Sequence, residues 1–374
     1  MPAESSPGPE GGEFGVYVHV PFCRSRCDYC AFATWTDKDA LMGAYVAGLH
    51  RELELRAASG AIRPATSVFF GGGTPSRIPA GDLCGVLASI ERREGAEVTV
   101  ECNPEDVDAA LLAAYAAAGV TRLSVGIQST APRVLADLGR RHGTGALASV
   151  AAHVHDAGFT TWNADLIIGA VTESDDDLSA TLDDVLSLAH PPPHVSAYAL
   201  TPEPGTPLGR DLARHPDDDV VARRYELVER RLSEAGYRWE EISNWALPGH
   251  EARHNHLYWT GGEYAGVGCA AHSHLDAVRS WNVRTPERYL ELLGSGAAPT
   301  GGSETLDDEA RRFESLALLL RTRRGVPLDA FEDPGALGDL ICVEGDRAVL
   351  TVRGRLLASQ VSLRLATRAP GQGR

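Results

Sequence analysis

Cys23, Cys27 and Cys30 stand within eight residues, directly after the strand-like run Val16-Tyr17-Val18-His19-Val20. Thiolates at a four-then-three spacing can wrap one loop around an iron–sulfur cube and bond three of its irons, leaving the fourth iron without a cysteine. Clusters that serve only electron transfer normally have four protein ligands, so the open iron is a position for a ligand. A zinc knuckle is the alternative, with His19 or a distant residue as fourth ligand, because three cysteines and one histidine are a common structural set. Zinc sites favour paired Cys-x-x-Cys spacings on two loops, and the other cysteines, Cys84, Cys102, Cys269 and Cys342, form no second pair.

The elements that position this loop read as alternating strands and helices. Candidate strands are Val16–Val20, Ser67–Phe70, Glu97–Glu101, Arg122–Ile127, Thr161–Ile168 and His194–Leu200. Helical patterns lie near Asp39–Ala58, Ala80–Arg93, Asp106–Ala118, Ala146–Ala157, Asp175–Ala189 and Asp217–Ala235. Repeated units of this kind give a parallel sheet with helices packed outside, since a parallel crossover needs a dozen or more residues to return. Six units predict an α/β fold with a partial (β/α)6 barrel rather than a closed eight-stranded one.

In such sheets ligands gather at the carboxyl ends of the strands. Strand one ends at the cysteine loop, strand two at Gly71-Gly72-Gly73-Thr74-Pro75, strand three at Glu101 and strand four at Gln128, while strand five carries Asp165. The glycines predict a backbone open to close approach by a ligand. Glu101 and Asp165, if buried, need partners, which a cationic or hydroxyl-rich small molecule supplies.

The core predicted for residues 14–243 follows a Pro/Gly/Ser/Glu-rich tail over residues 1–13, expected to be disordered, and carries a seventh strand-like piece at Tyr237–Ile242. Residues 244–300 read as a connecting segment dense in Trp, Tyr, His and Gly. Residues 301–374 read as a small winged-helix-like α+β domain, with helices over Asp307–Arg323 and near Ala330–Leu340, a hairpin at Ile341–Leu350 and a last helix at Val352–Leu365.

Composition narrows the class. A hydrophobic fraction of 43% with 23% charged residues is that of a globular protein,. No apolar run reaches bilayer length and the start lacks the basic and apolar regions of a signal peptide, so a cytoplasmic location is expected. Seven cysteines, three in the motif and four scattered, form no disulfide-like framework, which agrees with a reducing compartment,. The formal net charge of -16 repels phosphate backbones, so nucleic acid is not expected as a partner,. The basic run Arg321 to Arg324 reads as a solvated helix end,.

The string Tyr17-Val-His-Val-Pro-Phe-Cys23-x3-Cys27-Asp-Tyr-Cys30-x-Phe32, with the Gly71–Pro75 loop, resembles the radical S-adenosylmethionine proteins. The resemblance is to the branch that contains the oxygen-independent coproporphyrinogen oxidases and the HemW-like haem chaperones, and it runs from about Phe14 to the end of the chain. It implies a 4Fe-4S cluster on Cys23, Cys27 and Cys30, whose open iron is chelated by S-adenosylmethionine. It further implies that Tyr17, Gly72, Gly73, Thr74, Glu101, Gln128, Arg140 and Asp165 contact that nucleoside, Arg140 standing in the run Leu-Gly-Arg140-Arg141-His142.

Within the branch, the oxidases carry a further cysteine where this chain has Phe32, and a longer extension before the first strand. The chaperones are marked by His-Asn-x-x-Tyr-Trp, which here reads His254-Asn255-His256-Leu257-Tyr258-Trp259. That resemblance implies haem as a cofactor, an acceptor haemoprotein as a partner, a membrane met only transiently, and His254 as a candidate haem ligand, with His250, His256, His272 and Cys269 as competitors. The alternatives are an oxidase acting on a porphyrinogen through a 5'-deoxyadenosyl radical and a non-catalytic zinc-stabilised scaffold. Where the family usually shows Gly-Leu-Pro after strand five, this chain has Gly169-Ala170-Val171-Thr172-Glu173, and loss of the proline predicts a looser loop beside Asp165.

Overall fold

Polar and apolar residues alternate along the first six strands, and because successive side chains point to opposite faces the alternation sorts them into two layers. In a computed structural model describing residues 12–140 and 142–366, these strands are β1 (Phe14–Val20), β2 (Ala65–Gly72), β3 (Arg92–Cys102), β4 (Arg122–Gln128), β5 (Thr161–Ile168) and β6 (His194–Ala199). The tail expected to be disordered over residues 1–13 falls almost wholly outside the described residues, as does Arg141. Val16, Val18, Val68, Val98, Val100, Leu123, Val125, Ala164, Leu166 and Val195 face the helices and are fully buried. Glu97, Thr99, Glu101, Arg122, Ser124, Asn163, Asp165, His194, Ser196 and Tyr198 face the other way and line one cavity.

β1 to β6 pair in chain order and in parallel, so the α/β half-barrel expected from six strand–helix units is present. Among the described residues the sheet contains six further strands. On one side lie β7 (Arg238–Glu241) and β8 (Asn244–Ala246), with β8 antiparallel to β6. On the other, β9 (Glu263–Val267) runs parallel to β1 and continues into antiparallel β10 (His272–Leu275), β11 (Val278–Asn282) and β12 (Thr300–Thr305).

The stretch 244–300 is therefore not a connector between domains. It extends the sheet at both edges, and the boundary drawn at residue 300 falls at the start of β12. Its short strands are individually weak signals, and only pairing against β1 and β6 stabilises them. Between β8 and β9, the helix Arg253–Trp259 packs on β1 and β2. Glu97 accepts the backbone N–H of His254 at 3.0 Å and of Arg253 at 3.1 Å, capping that helix at the amino-terminal end of the half-barrel,.

Helix ends depart from the expected ones where pairing competes. The helix expected to reach Arg93 stops at Ala88, and Arg92 pairs with Ala65 as the start of β3. Beyond β12, the helix Asp308–Leu320 and a three-stranded sheet of β13 (Val326–Pro327), β14 (Ile341–Glu344) and β15 (Arg347–Leu350) form the C-terminal unit. The helix expected near 330–340 is instead a pair of 3-10 turns, interrupted at Gly338, whose φ is 53°. The last expected helix splits into Val352–Leu356 and Ala358–Ser362.

The loop after β5 is tighter than the missing proline predicts. Gly169 donates its N–H to Glu173 at 2.8 Å, and Glu173 is paired with the buried Arg224 guanidinium at 3.0 Å. Arg224 also donates to the Ala170 carbonyl at 3.2 Å and to the carbonyl of Glu173. A buried ion pair thus closes the turn that a proline would otherwise stiffen. Because removing one partner strands the other charge, Arg224→Ala is expected to destabilise the protein by about 3 kcal/mol. Urea unfolding read by circular dichroism checks this; a midpoint unchanged from wild type would show that the loop is held by other contacts.

Candidate functional site

The cysteine loop leaves β1 at Val20 and is tied down on every side. Cys23 donates its N–H to Trp35 O at 3.0 Å, and Trp35 N–H returns to Pro21 O at 2.8 Å, closing the loop at its base. Asp28 accepts from Arg214 at 2.8 Å, and Arg214 also pairs with Asp137 at 3.2 Å. Tyr29 packs on the apolar cluster of Val134, Leu138, Ile167, Ala170, Leu200 and Leu208. His19, buried beneath the loop, bonds Ala33 O through Nε2 at 2.9 Å and the Tyr17 hydroxyl through Nδ1 at 3.0 Å. Burial lowers the His19 pKa to about 4, so the ring is neutral at physiological pH,.

The three thiols open on the cavity and carry no disulfide. Cys27 Sγ accepts from the Arg140 guanidinium at 3.5 Å, and Cys23 Sγ from the Thr74 hydroxyl at 3.6 Å. Arg140 also donates to Asn103 at 3.0 Å and to Gly126 O at 2.8 Å, while Asn103 donates to Thr74 at 3.2 Å. Donors aimed at sulfur suit thiolates that bind metal. Among the described residues no three His, Cys, Asp or Glu side chains are gathered around one ion-sized point, which is what a zinc knuckle demands,.

The glycine loop acts differently from the sequence expectation. Gly72 donates its N–H to Glu101 at 3.0 Å, Gly73 to Val20 O at 2.7 Å and Thr74 to Phe22 O at 2.8 Å, so these amides are already engaged by the protein. The glycines serve close packing instead. Gly72 sits at φ 109° with the His19 ring where a Cβ would be, 2.4 Å away, and a Cβ on Gly73 would lie 3.1 Å from Cys23 Sγ,. The loop thereby brings bare backbone against the cysteines.

Glu101 and Asp165 face each other across the strand ends. Asp165 accepts from Ser124 at 3.0 Å and Asn163 at 2.7 Å, and Asn163 also donates to Ser196 at 2.9 Å. Burial first, and then repulsion from Asp165, raise the Glu101 pKa to about 8; burial raises that of Asp165 as well, against its hydrogen bonds,. Gln128, ending β4, holds φ at 66°, a left-handed conformation costing about 1 kcal/mol for a residue with a Cβ,, and its side chain lines the cavity. The cavity measures about 750 Å³. Cys23, Cys27, Cys30, Gly72, Gly73, Thr74, Glu101, Gln128, Arg140 and Asp165 all line it. Tyr17 lies behind them, stacked at 6.3 Å on Phe69.

His254 is the exception. It is 1% exposed, beneath β1 and β2, with Nδ1 bonded to Ser67 at 2.9 Å and Nε2 to Tyr258 at 2.9 Å. Burial lowers its pKa to about 3, and with both nitrogens engaged neither is free to bond an iron,. Only Asn255 of the His-Asn-x-x-Tyr-Trp run lines the cavity. Among the competitors, Cys269 is buried against Tyr45 and His256 pairs with Glu240 at 3.2 Å. His250 bonds Thr161 through Nδ1 at 2.8 Å. His272 differs: it is exposed, its ring lies 5.9 Å from that of Trp281, and the ring makes no hydrogen bond among the described residues. It opens β10, at the carboxyl end of β9 and hence on the same rim as the cysteines.

Sequence reasoning missed Arg214, Asn103 and His19, which hold the loop and its donors. His19 was visible only as a possible zinc ligand, and nothing in the pattern joins Arg214 to Asp28 across 186 positions.

Because Glu101 ionises near 8 when folded and near 4.5 otherwise, the folded state holds a proton that the unfolded chain has released. That contribution is present below about pH 4.5 and lost as pH rises toward 8,. Without added nucleoside, wild-type stability is expected to fall by up to a few kcal/mol across that window, at about 1.4 kcal/mol per unit of pKa shift, and Glu101→Gln to flatten the fall. Urea midpoints at intervals between pH 5 and 8 measure it; identical slopes would mean that Glu101 is ionised throughout.

With this geometry established, relatives become informative. Residues 17–185 match the Radical SAM superfamily model. The chain is 44% identical over 94% of its length, and 94% of the relative's, to a protein from Mycobacterium tuberculosis named heme chaperone HemW. It is 35% identical to the Escherichia coli protein of that name, over 74% of this chain and 75% of the relative. Among solved structures, coproporphyrinogen III oxidase from Escherichia coli, a radical SAM enzyme, superposes with a TM-score of 0.81 over 94% of this chain and 89% of the other, at 20% identity, a likeness of fold. The chain belongs to the HemW family of the radical S-adenosylmethionine superfamily.

Proposed function

We propose that this protein is a haem chaperone that carries a 4Fe-4S cluster and S-adenosylmethionine, binds haem and passes it to an acceptor haemoprotein. The observation that carries the reading is the near-complete collinearity with proteins named heme chaperone, 44% identical over 94% of both chains in one case. Cys23, Cys27 and Cys30 hold the cluster in this reading, with Arg140 and Thr74 donating to the sulfurs. The bound cluster and nucleoside supply redox chemistry and a ligand for the open iron. Glu101 and Asp165 are the acceptors for ribose hydroxyls and the ammonium, and an arriving cation offsets the burial and, secondarily, the repulsion from Asp165 that together keep Glu101 protonated,. Gly72, Gly73, Gln128 and Tyr17 shape the walls around it.

The rim offers apolar surface for a porphyrin. Phe32, 63% exposed, and Tyr198, 42% exposed, both line the open side of the cavity. Aromatic faces of this kind suit a flat macrocycle, and Phe32 stands where the oxidases carry a cysteine. His272, exposed beside Trp281 on the same rim, has the free imidazole that His254 lacks. We assign it as the haem ligand in this reading. No helix among the described residues is long and apolar enough to cross a membrane; in this reading the chaperone is cytoplasmic and meets a membrane only transiently.

Haem titration followed at the Soret band separates the two histidines. His254→Ala is expected to leave the band position and affinity unchanged while lowering stability by about 2 kcal/mol through the lost buried hydrogen bonds. His272→Ala is expected to shift the band and weaken binding about tenfold or more. The reverse pattern would return the ligand to His254. Anaerobic incubation with coproporphyrinogen and a reductant tests the chaperone reading itself, because protoporphyrinogen formed with 5'-deoxyadenosine would make the protein an oxidase.

A further inference from the structure

The cavity does not end at Glu101 and Asp165. It continues down the barrel axis to the floor made by the helix Arg253–Trp259, where Ala252 and Asn255 close it. The polar groups of this lower chamber are incompletely used. Arg122 is 3% exposed, yet its guanidinium makes one hydrogen bond, to His250 O at 3.2 Å, and no ion pair within 4 Å among the described residues. The neighbouring carboxylates turn to other partners: Glu97 to the helix amides, Glu240 through Oε2 to His256, its Oε1 having no hydrogen-bond partner, and Asp165 to Ser124 and Asn163.

Three more groups point the same way. Thr99, 1% exposed, has a hydroxyl with no hydrogen-bond partner. His194, also 1% exposed, bonds Asn163 Oδ1 through Nδ1 at 2.7 Å, and its Nε2 has no hydrogen-bond partner, with the nearest carboxylate oxygen 3.9 Å away on Glu240. The Asn255 amide lines the chamber and makes no hydrogen bond among the described residues. Buried polar atoms without partners are rare in native proteins and costly, and a buried guanidinium with four of its five N–H groups unused is more so.

We infer that the chamber floored by Asn255 is a carboxylate-binding subsite, in which Arg122 takes the carboxylate oxygens and the Thr99 hydroxyl and Asn255 amide donate to them, while His194, whose proton is on Nδ1, lines the wall. Guanidinium and carboxylate match in fork geometry, and in a dry cavity such a pair is strong. Placement on the floor gives the haem-chaperone motif a role in ligand binding through its Asn rather than its His. The carboxylate can be a small free acid or a side-chain carboxylate of haem, and only the second source rests on the chaperone reading.

The test uses the full-length protein with its cluster reconstituted and S-adenosylmethionine present. Sodium acetate and sodium formate are titrated against equal concentrations of sodium chloride while melting temperature is followed, and affinities for haem and haem dimethyl ester are compared. A free acid as the source predicts a saturable rise with acetate or formate that Arg122→Gln abolishes and Thr99→Val weakens severalfold. A haem carboxylate as the source predicts tenfold weaker binding of the dimethyl ester, with that preference lost in the variants. Thr99→Val removes a hydroxyl that bonds nothing in the protein, so it decides the matter should Arg122→Gln fail to fold. No saturable rise together with equal affinity for haem and its diester would overturn the inference and leave the chamber to ordered water. Failure of the chaperone reading looks different, since haem would then not bind at all while the acetate response stood.

Discussion

Everything at this site depends on a parallel half-barrel whose inner face is polar. Strands buried on both faces usually read as continuous apolar runs, but here the inward residues are Glu97, Thr99, Glu101, Arg122, Ser124, Asn163, Asp165, His194 and Ser196. Such a lining is stable only where every group finds a partner or a ligand. The middle layer is tied together by the hub of Asn163, which bonds Ser124, Asp165, Ser196 and Nδ1 of His194. The layers above and below it are left incomplete, and those are the two places where we propose ligands.

At the upper layer the incompleteness is electrostatic. Two carboxylates in a buried site resist simultaneous ionisation, so Glu101 keeps its proton until a positive or donor-rich group arrives,. The cysteine loop beside them is held by contacts drawn from many elements: Arg214 from beyond β6, Arg140 from beyond β4, Thr74 from the turn after β2 and His19 from β1. Convergence of this kind lets a loop without regular secondary structure present three sulfurs in a fixed arrangement.

At the lower end, the helix Arg253–Trp259 closes the barrel and its motif residues divide their labour. His254 joins Ser67 on β2 to Tyr258 on its own helix, so that it fastens the floor to the wall, while Asn255 looks upward into the cavity. A histidine and a tyrosine four positions apart share one helical face, which is why these two meet. The motif is thus a structural plug with one residue turned toward the cavity.

The six strand–helix units, the cysteine loop and the polar residues at the strand ends were readable directly, because a period of two along each strand and loop chemistry after it are local properties. Cys23, Cys27, Cys30, Glu101, Gln128 and Asp165 accordingly line one cavity as their positions implied, joined by Arg140, which only the family resemblance had pointed to. The edge strands β8 to β12 were not readable, since runs of three to six residues gain their stability from neighbours far away in sequence. The same holds for His254, whose residue type suits a metal ligand; only the packing that occupies both of its nitrogens removes it from that role. Glu173 and Arg224 replace a proline's stiffness through an ion pair across 51 residues. Residue type and spacing determined which chemistry was available, whereas burial and long-range pairing, which depend on the whole folded chain, decided which groups remain free to perform it.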